Sequence, residues 1–141
     1  MTNPVSQIEA RSLLNEASRI SKKAHNAVRW PYITFLLLLG VVTSFGSFAM
    51  AMTEGSDFGL AYAITLIAFF IVMMVFLIST KGKLAFAWSK RWSIYIASWT
   101  VVYLGAIMVV AFAHGSLVLA SVTSGLVLLL NTTFAIIEMK R

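Results

Sequence analysis

The chain has 141 residues, 60% of them hydrophobic and only 11% charged, with a mean hydropathy of +0.88. That composition lies outside the soluble globular range and inside that of integral membrane proteins. The formal charge is +6 and cysteine is absent, which excludes disulfides, thiol chemistry and cysteine-held metals.

The first predicted element is a tail over residues 1–30, set apart from a membrane domain over 31–141. Asn3-Pro4 fits an N-cap with proline at the first helical position, and Ser6 with Glu9 fits a capping box. At helical spacing Ala10, Leu13, Leu14, Ala17, Ile20, Ala24, Ala27 and Val28 share one face, and Arg11, Arg19, Lys22, Lys23 and Arg29 share the other. The expectation is an amphipathic helix lying in the membrane interface, with docking on a protein partner as the alternative. Trp30-Pro31-Tyr32 follows, and proline disfavours helical geometry at the residue before it, so this helix should end or kink near Trp30.

Four runs free of Lys, Arg, Asp and Glu then match the ~20 apolar residues that a ~30 Å hydrocarbon core requires. They cover residues 33–52, 59–79, 92–113 and 116–137. The first begins too late and runs too long for a cleavable signal peptide and is expected to be retained. All 11 basic residues fall in the tail, in the segment from Lys81 to Arg91, or at Lys140 and Arg141. The connections over 53–58 and 114–116 hold none, and the first carries Glu54 and Asp57. Because basic flanks are retained on the cytoplasmic side, both termini should be cytoplasmic. The two short connections make antiparallel hairpins, so the expected fold is all-α: an up-and-down four-helix bundle in a plasma membrane.

Span one carries Gly40-x3-Ser44 and Ser47-x3-Ala51, and span four carries Ala120-x3-Ser124 and Ser121-x3-Gly125. Small residues at this spacing let helix backbones approach closely, within the bundle or between copies. Asn131, beside Thr132 and Thr133, is the most polar point inside a span. It reads either as interhelical glue or, with Ser79 and Thr80, as the lining of a polar cavity. The sequon at Asn131 lies within a span and is a chance match. Trp92, Tyr95, Trp99 and Tyr103 form one aromatic stripe on span three. The first two belong to the interfacial belt, and the deeper two either pack internally or wall a lipid tail or an apolar cation.

The spans offer no set of nucleophile, base or metal ligands, and His25 and His114 belong to opposite membrane faces. No enzyme activity, cofactor or metal is expected. His114, beside Gly115 at the second outer turn, is read as a solvated turn residue, with pairing to Glu54 or Asp57 in response to external pH as the alternative. Basic residues flanking spans, Arg19, Lys22, Lys23, Arg29, Lys90 and Arg91 among them, are explained by an anionic cytoplasmic leaflet, not by nucleic acid.

The run from Glu9-Ala10-Arg11 to Ala27-Val28-Arg29-Trp30-Pro31-Tyr32, a Leu-rich span, and Lys90-Arg91-Trp92 opening the third span together carry a resemblance. The layout resembles small uncharacterised membrane proteins of Gram-positive bacteria, especially actinobacteria. That resemblance implies a bacterial plasma membrane and transfers no functional residue. The expected role is non-catalytic: an accessory or structural protein that binds a larger membrane partner. A homo-oligomeric transporter or channel, its pathway formed between copies by Asn131, Thr132, Trp99 and Tyr103, is the alternative.

Overall fold

The structure is a computed structural model describing residues 7–80 and 90–140, without the side chains of residues 7, 8 and 21–28. All its regular structure is α-helical: α1 (Gln7–Met52), α2 (Gly55–Ser79), α3 (Lys90–Phe112) and α4 (Leu117–Met139). The expectations resting on Asn3, Pro4 and Ser6, on the side chains of Lys22 and Lys23, and on the segment 81–89 lie outside the described residues.

Among the described residues four stretches are long and apolar enough to cross a membrane: Arg29–Met52, Gly55–Ser79, Lys90–Phe112 and Leu117–Met139. Each spans ~34–38 Å at ~1.5 Å per residue, somewhat more than a ~30 Å hydrocarbon core. Their outward faces are apolar, with Phe45, Ile64, Phe70, Val101, Leu129 and others exposed. So much uncovered apolar surface suits lipid and would be a liability in water.

The tail is not a separate helix. α1 runs from Gln7 to Met52 with Pro31 inside it, so of the end or kink expected near Trp30 the end is corrected. Proline removes one helical hydrogen bond and crowds the preceding turn, a cost of about 3 kcal/mol. Helix propagation on both sides, together with the burial of Tyr32, Ile33, Phe35 and Leu36 just beyond the proline, offsets that loss.

α1 is the hub. It packs on α4 and α2 and touches α3, which also packs on α4. In its span 56% of the best apolar window is buried, against 6% in α2, so α2 leans on the bundle as an outer helix. Both short turns lie at one end. There the Gly115 N–H donates to the Ala51 carbonyl at 2.9 Å, and the Phe58 and His114 rings meet at 6.1 Å. Gly115 adopts a left-handed φ of 81°, which lets α3 reverse into α4, and Ser116 caps α4 by accepting from the Leu119 N–H.

At the opposite end, which carries the termini, aromatic rings join three helices. Tyr32 meets Phe76 and Trp92 edge-on at 5.2 and 4.9 Å, and Phe76 stacks on Trp92 at 5.8 Å. Phe35 fills the remaining side against Phe76 at 4.3 Å. This cluster holds α2 and α3 together at the terminal end.

Candidate functional site

Two regions concentrate polar and aromatic chemistry: the seam between α1 and α4, and a cavity where α2 and α3 part. The seam follows from spacing on α4, where Ala120, Ser124, Val127, Asn131, Ala135 and Glu138 recur every three or four residues and are all buried. Opposite them α1 presents Gly40, Ser44, Ser47 and Ala51, also buried. The Ser44 hydroxyl donates across the seam to the Ser124 carbonyl at 2.7 Å, while Ser47 donates to Ser44 on its own helix at 3.0 Å.

Asn131 is fully buried against Gly40; a Cβ at Gly40 would stand 2.6 Å from the Asn131 Cβ. Its Nδ2 donates to the Val127 carbonyl one turn back in α4, at 2.8 Å, and its Oδ1 has no hydrogen-bond partner among the described residues. The side chain therefore forms no bond between helices, contrary to the glue reading; Ser44 supplies that bond instead. The cavity alternative fares no better, since Asn131 has no exposed surface. Thr80, proposed as its companion, is buried with its hydroxyl donated to the Phe76 carbonyl at 2.8 Å, and Ser79 is exposed. Thr132 and Thr133 donate to Leu128 and Leu129 within α4.

Ser121 and Gly125 do not join the seam. Ser121 is exposed with its hydroxyl on the Leu117 carbonyl, and a Cβ at Gly125 would meet nothing within 4 Å. They sit one residue, about 100° of helix rotation, away from the Ala120–Ser124 pair that does pack. Gly46, which also approaches another helix closely, faces the Thr65 side chain of α2.

Sequence reasoning missed Glu138. It is 3% exposed, and its Oε1 accepts from the Tyr95 hydroxyl at 2.7 Å while the Tyr95 ring stacks on Phe134 at 4.5 Å. The signal was present, because 138 continues the spacing 127, 131, 135, but the apolar run had been closed at Ile137. Beside it the Arg29 guanidinium donates to the Met139 carbonyl at 3.2 Å, placing a cation at the negative end of α4. Among the other flanking cations, Arg19 pairs with Glu16 at 2.8 Å in the open, a contact worth little, and Lys90 and Arg91 are exposed at the start of α3.

The second region is a cavity of about 270 Å³ between α1, α2 and α3, toward the turn end from the aromatic cluster. Trp99 and Tyr103 form one wall, stacked at 5.2 Å with their planes 9° apart. The Trp99 Nε1–H donates to the Thr43 Oγ1 at 3.2 Å, and Thr43 in turn donates to the Leu39 carbonyl at 2.6 Å. Tyr62 and Phe69 of α2 face them across the space. Asn131 and Thr132 are absent from these walls, so the four residues expected to line one pathway divide between the two regions. A larger groove of about 640 Å³ lies between α1 and α2, lined by Val41, Phe45, Gly46, Ile64 and Thr65 with Asp57 among its lining residues. It has room for lipid tails but few directional donors.

Among the described residues no group of three His, Cys, Asp or Glu side chains could hold a metal ion. Against protein-family models, curated proteins and solved structures, the chain finds no match.

Proposed function

We propose that this chain is an accessory protein of a bacterial plasma membrane, non-catalytic, with both termini in the cytoplasm, that engages a larger membrane partner through the first part of α1. The supporting observation is the unbroken run of α1 for 22 residues ahead of its span, from Gln7 to the residue before Arg29. At ~1.5 Å per residue the arm reaches ~33 Å past the span. On it Leu13, Leu14 and Ile20 are 58–69% exposed and no described residue covers them. An arm that runs on from a span as one helix suits a contact beyond the bilayer surface, whereas an interfacial helix turns along that surface. The cytoplasmic placement rests on the complete segregation of basic residues.

The test places a spin label at position 14 of the purified full chain in liposomes and a photo-crosslinker at the same position in native membranes. The partner reading expects the label to stay in water on both neutral and anionic vesicles. It also expects one protein adduct, lost on Leu13→Asp with Ile20→Asp while the bundle stays folded. A label that enters anionic vesicles and is released by high salt would replace the partner with the lipid surface. An adduct between two copies would make the partner a second copy of the chain.

A further inference from the structure

The cavity beside Trp99 carries two phenols with no task inside the protein. The other polar groups in its walls are spent: Thr43 is bonded to Leu39 and Trp99, and Thr65 donates to the Ala61 carbonyl at 2.7 Å. Tyr62 on α2 and Tyr103 on α3 line the same cavity, and among the described residues neither hydroxyl has a hydrogen-bond partner. A phenol in an apolar wall ordinarily finds an acceptor. Two potential donors from different helices thus line one cavity.

Size and access narrow the occupant. An apolar cavity of about 150 Å³ holds one benzene ring and drug-sized sites begin near 300 Å³. A space of about 270 Å³ therefore suits a head of one or two fused rings, and the Trp99–Tyr103 stack with Phe69 supplies flat walls. Tyr62 and Leu66 on its rim are exposed on the lipid-facing surface, so access is from the bilayer.

Depth narrows it further. Tyr62 lies seven residues into α2 and Tyr103 nine residues before the end of α3, or ~10 and ~14 Å below the helix ends at ~1.5 Å per residue. Since these spans exceed the hydrocarbon core by only a few ångströms at each end, both phenols sit within it, below the level of phospholipid esters. The acceptors must be carried by a ring dissolved in the membrane interior.

We infer that the cavity between α1, α2 and α3 binds a quinone-type ring, its faces against Trp99, Tyr103 and Phe69 and its carbonyl oxygens accepting from Tyr62 and Tyr103. This stands independently of the partner proposed for the arm.

The test uses the full chain in phospholipid nanodiscs and menadione, a naphthoquinone without a tail, read by quenching of tryptophan fluorescence. The absence of cysteine removes thiol addition as a competing reaction. Saturable quenching is expected, with the quenched component missing in Trp99→Phe. Tyr62→Phe and Tyr103→Phe keep the rings and delete one donor each, so each should weaken binding by about 2- to 12-fold, the range of a net hydrogen bond. Methylnaphthalene, the same ring without carbonyls, should bind more weakly and ignore both substitutions. Leu66→Trp, at the rim, should obstruct binding while circular dichroism shows an intact bundle. Quenching that rises linearly with membrane partitioning, binding indifferent to both Tyr→Phe changes, or methylnaphthalene bound as tightly as menadione would each overturn the assignment. So would binding seen in detergent but abolished by phospholipid, since the occupant would then be a lipid tail.

Discussion

Replacing Gly40 by alanine tests the α1–α4 seam at its tightest point. The new Cβ would stand 2.6 Å from the Asn131 Cβ, 3.2 Å from its Cγ and 3.4 Å from its Nδ2. The first distance is about 1 Å inside the ~3.5–4.0 Å optimum for two carbons. It cannot be relieved by a rotamer change, because the Cβ of Asn131 is fixed to its backbone; the two helices must part. Overpacking of this kind costs about 1–3 kcal/mol, and exchanging glycine for alanine in a helix returns up to about 1 kcal/mol. A net loss of about 1–2 kcal/mol follows, a factor of about 5–30 in the folding equilibrium. Unfolding of the purified chain by rising SDS fraction in mixed micelles, followed by circular dichroism, measures it. Gly125→Ala is the control: nothing lies within 4 Å of that Cβ, so stability should hold or rise. The partner substitution sharpens the test. Asn131→Gly should restore most of the loss in a double-mutant cycle, whereas Asn131→Ala keeps the offending Cβ and should restore little. If Gly40→Ala proves as benign as Gly125→Ala, or Asn131→Ala rescues as fully as Asn131→Gly, the close approach is not what the geometry describes.

Asn131→Leu should raise stability by about 1 kcal/mol in the same assay, because a similar shape removes a buried oxygen without a partner and the bond lost lies within α4; a loss above that size would mean the amide has an acceptor role across the seam. Tyr95→Phe should cost about 1–3 kcal/mol by leaving the buried Glu138 oxygen unpaired, and Glu138→Gln should cost less since an amide carbonyl still accepts; equal costs would argue against the Tyr95–Glu138 bond. Reporters fused after Phe58 or Gly115 should be external and one after Gly82 internal, and labelling of Lys83 from outside intact cells would refute cytoplasmic termini.

The number and approximate bounds of the spans were legible because each rests on length and hydropathy alone. Facing was not. In a soluble helix the apolar side points inward, but α2, α3 and α4 are apolar all round, and hydropathy then carries no orientation. Hence Ala120-x3-Ser124 and Ser121-x3-Gly125 looked equivalent, and only the former meets α1. Gly40 was recognised as a small residue, but nothing in its neighbours revealed that the space it leaves is filled by Asn131, more than ninety residues away. Pro31 misled for a different reason. Its local cost was read correctly, but propagation of the helix and burial of Tyr32 and Leu36 beyond it outweigh that cost, and neither is a local property. Trp99 and Tyr103 were seen as a pair at helical spacing, with packing and ligand wall both open. Their actual surroundings depend on Tyr62 from another helix, which no spacing within α3 encodes.

The two regions also differ in what they demand of the fold. The seam brings α1 and α4 to near backbone contact, through Gly40 and the Ser44–Ser124 bond, and stacks buried side chains along six positions of α4. Such a surface has two packed walls and no slack, so its polar groups must be satisfied internally or held unsatisfied at a cost. α2 is bound differently. It meets α1 at Gly46 and Thr65, packs Phe69, Val72, Met73 and Phe76 on the core, and turns most of its remaining surface outward. A helix fixed at its middle and its terminal end, with its turn end held by a short connection and the Phe58–His114 ring contact, can move away from α3 without disturbing the α1–α4 seam. The cavity opens on that side of the bundle. A ring entering between Tyr62 and Tyr103 would therefore meet the least costly element to displace, and would tie α2 to α3 at a level where the described residues form no hydrogen bond between them.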